Sequence, residues 1–385
     1  MMVNIKIVGI GAGGNKAAIT AIQTNVVAKE NVLLINSTLK DIPKDYDGRV
    51  YQYSTARKGG AGKERNIAKE LLQEDLKNGK LDLESFVGTE TDLVVIVSSS
   101  EGGTGSGSSP LFASYIKNVL GIEVRCFGFT GFMTDIRGLR NTVEYFKEMT
   151  DEFAVEAIQN DKFLEDNDND KIKAEQAANI EFGKKIAVLS GNMLRDSSHN
   201  IDPTDLLKIS TTPNYSIIEY KEFKKIQNKK EFSEMVKQMV YSSKAVDLNT
   251  PSQKRMAVMI NIQKDNTSSI DYQDVLTEKF GEAFEVYEHI QHEEDMPNFF
   301  AFISSGNKIP VKEIEDIFTV YQQRLGKVDK SKDDFYDKEF RLDDRDADYN
   351  LKQSKKTVSA DDFFKTLGAK PTKSKKSTTD DDFDL

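Results

Sequence analysis

The chain has 385 residues, 38% hydrophobic and 30% charged, with a formal net charge of −10. One cysteine, Cys126, and three histidines argue against a disulfide framework and against cysteine- or histidine-rich metal centres, and the acidic balance argues against bulk nucleic-acid binding. No apolar run approaches the ~20 residues of a membrane helix, and the start, MMVNIKIVGIGAGG, reads as a strand and a glycine loop, not as a signal peptide.

In chain order, Ile5–Val8, Val32–Ile35, Leu93–Val97 and Val124–Phe129 are short β-rich apolar runs. Helical patterns separate them, one beginning at Lys16 and another spanning Glu64–Asn78. This alternation predicts an α/β fold, a parallel sheet with crossover helices. Ligands on such sheets bind at the carboxyl ends of the strands. A long helical pattern at about 172–196 follows and ends in a loop over His199–Asp205. Residues 206–325 predict a smaller α/β domain, with strands at Met256–Ile262 and Phe299–Ser304 and helices near 231–243, 272–284 and 310–325. Residues 326–385 are dense in charge and predict a disordered tail, with a basic stretch at Lys365–Lys376 and an acidic tip at Asp380–Leu385. No fixed-period repeat is visible. The division is therefore 1–171, 172–205, 206–325 and 326–385.

Three glycine loops carry the chemistry. Gly9-Ile10-Gly11-Ala12-Gly13-Gly14 satisfies G-x-G-x-x-G between a strand and a helix. It allows a phosphate to approach the backbone at a helix N-terminus. Dinucleotide enzymes with this motif carry an acid at the end of the second strand. Here that strand ends Ile35-Asn36, which weighs against a nicotinamide-dependent Rossmann enzyme. Glu101-Gly102-Gly103-Thr104-Gly105-Ser106-Gly107 follows the third strand and is a nest of amide donors suited to a di- or triphosphate. Arg57-Lys58-Gly59-Gly60-Ala61-Gly62-Lys63 adds open amides and cations. It is no Walker loop, because Glu64 follows Lys63 where Ser or Thr is needed. Cys126 sits in a strand run and reads as core. His289 and His292, at i,i+3 with Glu288, Glu293 and Glu294, read as a solvated helix end, with a metal site as the alternative.

Gly102–Gly107 resembles the G-G-G-T-G-[ST]-G signature of the tubulin/FtsZ superfamily, with Glu101 at its first glycine. Gly9–Asn15 resembles the first nucleotide loop of that superfamily, and Gln159-Asn160-Asp161-Lys162-Phe163-Leu164 its P-N-D-K-L-L segment, in the same order along the chain. Gly59–Lys63 and Ser106–Pro110 look most like the TubZ type and phage-encoded tubulins. The resemblance implies a GTP-binding domain, a long central helix and a second domain. It also implies subunits stacking head to tail into dynamic filaments, with GTP, GDP and Mg2+ as ligands.

By the same resemblance, Gly11, Ala12, Gly13, Gly14, Asn15, Gly59, Gly60, Ala61, Gly62, Lys63, Gly102, Gly103, Thr104, Gly105, Ser106 and Gly107 would hold the nucleotide phosphates. Asn160 and Asn179 would contact the nucleoside. Asp135 and Arg140 would contact ribose or phosphate. Asn200, Asp202 and Asp205 form an N-x-D-x-x-D loop that would act on the γ-phosphate of the adjacent subunit. Read without the resemblance, Asp202 and Asp205 are N-capping acids before Leu206. The implied role is positioning or segregating plasmid or phage DNA in a bacterial cytoplasm, through a DNA-bound adaptor or cargo at the charged tail and without a membrane. An FtsZ-like division-ring protein is the alternative.

Overall fold

A computed structural model describes residues 2–53, 60–132, 136–224, 226–248, 251–263, 269–308 and 357–368, with isolated positions 310, 316, 319 and 323. The parallel part contains β1 (Ile5–Ile10), β2 (Val32–Asn36), β3 (Arg49–Gln52), β4 (Leu93–Ser99), β5 (Glu123–Thr130) and β6 (Ala154–Gln159). Its helices are α1 (Gly11–Gln23), α2 (Arg65–Lys77), α3 (Leu83–Val87), α4 (Gly103–Tyr115) and α5 (Ile136–Met149). The long helix α6 (Lys171–Ser190) and the short α7 (Pro203–Ser210) follow. The rest contains β7 (Asn214–Phe223), α8 (Lys229–Tyr241), β8 (Arg255–Asn261), α9 (Gln273–Phe280), β9 (Glu285–Gln291), β10 (Asn298–Asn307) and α10 (Ala360–Gly368).

The two predicted α/β regions share one ten-stranded sheet, ordered β3-β2-β1-β4-β5-β6-β7-β10-β8-β9. β1 to β6 run parallel, while β10 pairs antiparallel with both β7 and β8. Central strands bury both faces, so successive residues feed opposite cores: Val8 and Ile10 enter one, Ile5 and Ile7 the other. The first core packs α2 to α5, α8 and α9. The second packs α1, α6 and α7. Phe182 of α6 sets its ring edge-on against Phe127 and Phe129, with centroids 5.2 and 6.3 Å away. Burying such a ring contributes about 2–3 kcal/mol, which seats the helix on the sheet.

β6 joins β7 through only two residue pairs, Ala154–Asn214 and Val155–Tyr215. A buried ionic cluster reinforces this seam. Arg125 Nη2 lies 3.0 Å from Glu156, and Lys185 of α6 lies 2.9 Å from Glu156 and 3.5 Å from Glu219 of β7. Burial works to lower the Lys185 ammonium's pKa, but the surrounding carboxylates of Glu156, Glu219 and Glu181 outweigh it and hold the charge.

Several expectations need correction. α6 ends at Ser190, because Gly191 takes the left-handed conformation (φ +67) that closes a helix. Residues 203–205 of the predicted loop already belong to α7, with Asp202 as N-cap and Pro203 in the first turn. β3, β6, β7 and β9 were not foreseen. β9 is the sheet's edge, half exposed, so it carries polar residues instead of an apolar run. His289 therefore lies on a strand, buried and bonded to Gln291 at 2.9 Å, and His292 just beyond it contacts the Ile262 carbonyl at 2.6 Å. Neither the helix-end reading nor a shared helix face survives. Among the described residues no three His, Cys, Asp or Glu side chains gather as metal ligands, and no helix is long and apolar enough to cross a membrane. The predicted 310–325 helix falls outside the described residues apart from those isolated positions. Within the predicted tail, α10 is a helix that buries Phe363.

Candidate nucleotide site

At the carboxyl end of β1 the chain enters α1 with no intervening residue. That junction needs Gly11 at φ +75. Gly14 lies so close to β4 that a Cβ there would sit 2.1 Å from the Val97 carbonyl oxygen. α4 begins beside this turn: a Cβ on Gly11 would be 3.0 Å from the Gly105 amide. Two 13-residue helices thus start side by side. Neither has a side-chain cap or an acid in its first turn. Their free N–H groups and positive dipole ends face one place, which is an anion cradle.

The third loop packs on α4 from the other side. A Cβ on Gly103 would be 2.7 Å from the Lys63 Cα. Gly60, Gly62 and Lys63 all have positive φ. Ser37, at the end of β2, shares a 2.8 Å hydrogen bond with Thr104. Asn36 spends its side-chain oxygen on the Ser37 amide at 2.8 Å. Glu101 places its carboxylate where a Cβ of Gly131 would otherwise be. The three loops are therefore brought together at one sheet edge. Gly59 and Asp135 lie outside the described residues.

Two supports escaped the sequence reading. Asn141 of α5 donates to the carbonyls of Lys63 (3.1 Å) and Glu101 (2.9 Å), tying two loops together. Arg65, at the start of α2, donates to the Ser106 carbonyl at 2.9 Å. Pro110 explains this bond. It lacks an N–H, so the carbonyl four residues earlier has no helical partner, and the guanidinium supplies one. The sequence places Pro110 in the loop before a helix, whereas α4 already begins at Gly103; a proline inside that helix was the signal that could have found Arg65. The other side of Arg65 pairs with Glu144 (3.0 Å) and Glu148 (3.2 Å). Arg140 binds Glu144 as well, at 2.7 Å, so its Nε serves α5 itself.

Beside the cradle, Lys16 of α1 pairs with Glu175 of α6 at 3.2 Å. Asn179 lies one turn along α6 from Glu175, and is buried. Asn15 and Asn160 are also buried, and each leaves its side-chain oxygen without a partner. Orphaned acceptors cost about 1–3 kcal/mol each, and a polar ligand would satisfy them.

Asn200, Asp202 and Asp205 are elsewhere. The carboxyl end of α6 is tied to the amino end of β1 by Val3 N donating to Ser190 O at 3.1 Å. α6 has 20 residues and so spans ~30 Å. The acids follow it at the sheet edge opposite the glycine loops, and one chain does not bring the two together. Asn200 accepts from the Ser197 amide at 2.9 Å, and Asp202 from the Asp205 amide at 2.8 Å. Partial burial, then the charge of Asp202, raises the Asp205 pKa above the ordinary carboxylate value. Lys208 pairs with Glu285 at 2.9 Å and anchors α7 to β9.

Residues 4–168 match the Tubulin/FtsZ family, GTPase domain. The cell division protein FtsZ of Mycoplasmopsis pulmonis is 26% identical over 167 residues, 42% of this chain and 40% of that protein. The alignment thus spans less than half of the curated relative. The fold is shared with TubZ of Clostridium botulinum phage c-st, with a TM-score of 0.65 and 16% identity over 85% of this chain and 100% of that one. A GTPγS-form protofilament of TubZ from Bacillus thuringiensis serovar israelensis gives 0.66 and 15% identity over 85% and 92%. Residues 4–168 thus match the Tubulin/FtsZ family's GTPase-domain model, and 85% of the chain shares the fold of the phage c-st TubZ.

Proposed function

We propose that this protein is a GTPase that assembles head to tail with copies of itself, each junction joining the glycine cradle of one subunit to the Asn200–Asp205 loop of the next. The observation that carries this reading is the separation within one chain of the glycine loops, whose helices α1 and α4 have no acid in the first turn, from an acidic loop at the opposite edge of the sheet. Phosphoryl transfer needs positioning and charge stabilisation more than covalent chemistry. The amides of Gly11–Gly14, Gly60–Lys63 and Gly102–Gly107 would hold the phosphates. Asn160 and Asn179 would take up nucleoside donors. Asp205, more basic than an ordinary carboxylate, would orient the attacking water and draw on its proton, with Asp202 and Asn200 fixing the loop. A Mg2+ ion bound together with the triphosphate would supply charge neutralisation there.

A heterologous contact whose rotation does not close gives a filament, and the TubZ neighbour solved as a protofilament supports that geometry. The resemblance of the Gly59–Lys63 and Ser106–Pro110 sequences to TubZ-type loops is what supports a role in positioning plasmid or phage DNA in the cytoplasm, with an adaptor or cargo at the charged tail. The curated relatives named as cell division proteins support a division-ring role instead, and binding of the tail to division partners separates the two.

The test is GTP turnover per subunit against protein concentration, read with light scattering. Turnover that switches on where scattering rises supports the shared site. Flat turnover without scattering refutes it. Asp205→Ala is expected to lower turnover about a hundredfold while assembly with GTP persists. Unchanged turnover in that variant would remove the acidic loop from the mechanism.

A further inference from the structure

α10 covers a groove that the nucleotide site does not use. Ser359 caps this helix: its Oγ accepts from the Asp362 amide at 3.1 Å, and the Phe363 amide donates to the Ser359 carbonyl at 2.9 Å. The capped turn presents Phe363, 6% exposed, edge-on to Tyr115 with centroids 5.9 Å apart. Phe364 lies 6.0 Å from the same ring, with Lys77 Nζ 5.3 Å from its centroid. Val358 N donates to Asn118 O at 3.0 Å. Tyr115 ends α4, and the groove continues along a π-helical turn, Ile116–Leu120. Such turns are rare and concentrate at functional positions. Gly121 closes the turn at φ +71, where a Cβ would sit 2.8 Å from Thr357.

The sequence adds an independent observation. Ser359-Ala360-Asp361-Asp362-Phe363 is one of three Ser/Thr-x-Asp-Asp-Phe segments between residues 331 and 385. The others are Ser331-Lys332-Asp333-Asp334-Phe335 and Thr379-Asp380-Asp381-Asp382-Phe383. Their spacing is irregular, so a search for a fixed period passes over them. Each repeats in sequence the residue types that α10 uses: the hydroxyl of its cap, the two acids of its first turn and the phenylalanine at its fourth position.

We propose that the groove formed by Tyr115, the 116–120 turn and Lys77 is a receptor for the Ser/Thr-x-Asp-Asp-Phe motif, and that its occupants are the tails of this same chain. This is helix-in-groove recognition with an aromatic anchor. Each subunit has one groove and three motif copies, so a tail seated in its own groove by Phe363 still carries two copies for the grooves of neighbouring chains. Reach permits this. With Phe363 seated, Phe335 lies 28 residues beyond Asn307 and Phe383 lies 20 residues beyond Phe363, stretches that would extend ~40 and ~30 Å even if wholly helical, against a radius of gyration of about 19 Å for a body of ~300 residues.

A labelled peptide of residues 357–368, titrated with the full chain, tests the receptor. A tethered motif competes at an effective concentration of roughly millimolar. The Phe335→Ala/Phe363→Ala/Phe383→Ala chain, with its own motifs disabled, is therefore expected to bind the peptide at least about tenfold more tightly than wild type. Adding Lys77→Glu or Tyr115→Ala to that chain is expected to abolish the gain; Lys77 is exposed, so its substitution leaves the fold intact. Unlabelled peptide 377–385 is expected to compete. No gain in the triple variant, no effect of Lys77→Glu, or no competition by the second peptide overturns the proposal. For exchange between chains, immobilised triple-variant protein is expected to retain wild-type chain without nucleotide and to lose it with Lys77→Glu. Equal retention by both would show that the tails do not reach a neighbour's groove.

Discussion

The two ends of the sheet are built on different principles. In the parallel part, β1 to β6, the candidate site is built by backbone meeting backbone: Gly14 against Val97, Gly11 against Gly105, Gly103 against Lys63. Such contacts admit one residue type and leave a pattern at fixed spacing. This is the part that matches a family in sequence, over residues 4–168. In the part from β7 to β10, stability depends on side chains filling a core, as where Phe300 packs among Phe232, Tyr272 and Phe302. Many sequences solve that problem if volume and pattern are kept, so the fold is shared there without a readable motif. A residue's legibility depends on how many alternatives its neighbours tolerate.

The largest effect should come where backbone meets backbone. Gly14→Val places a Cβ against the Val97 carbonyl, which cannot move without breaking β4. A loss of more than about 3 kcal/mol is expected, seen as a collapse of the thermal midpoint. A folded variant with a near-native midpoint would mean that α1 shifts freely on the sheet, and the comparison would fail.

Next is the seam between the two parts. Arg125→Met leaves Glu156 buried with half of its pairing gone, and about 3–5 kcal/mol is expected from denaturant unfolding. Arg125→Met/Glu156→Leu should recover part of this, because it removes the stranded charge. Additive losses would show that the pair is not coupled.

A smaller effect is expected at β9. Lys208 and Arg255 hold the Glu285 carboxyl down to about 2, below its ordinary 4.5. A depressed carboxylate contributes stability that is fully present above 4.5 and is lost as pH falls towards 2. Glu285→Gln should flatten the acid limb of the stability curve in that window. A limb parallel to wild type would remove Glu285 from the anchoring of α7.

The smallest effect should have the opposite sign. Gly183 is in mid-α6, and a Cβ there meets Thr24 Oγ1 at 3.4 Å and Val26 Cγ2 at 3.8 Å, both ordinary contacts. Gly183→Ala is expected to stabilise by about 0.5–1 kcal/mol, through helix propensity and a less flexible unfolded chain. A destabilised variant would mean that even this glycine answers a backbone demand.

The sequence alone was enough for what is local. The glycine loops, the buried runs of β1, β2, β4 and β5 and the capping acid Asp202 are legible because neighbours in the chain enforce them. The polar edge strand β9 was misread, because half of its residues face water and lack an apolar run. Arg65 and Asn141 were missed, because their partners lie 41 and 78 positions away. Only the tertiary structure decided that the acidic loop stands at the edge opposite the cradle, that one sheet unites both parts, and that the tail's Phe363 has a groove to enter. Each of these depends on which distant segments share a face, and chain order does not encode that until the strands have paired.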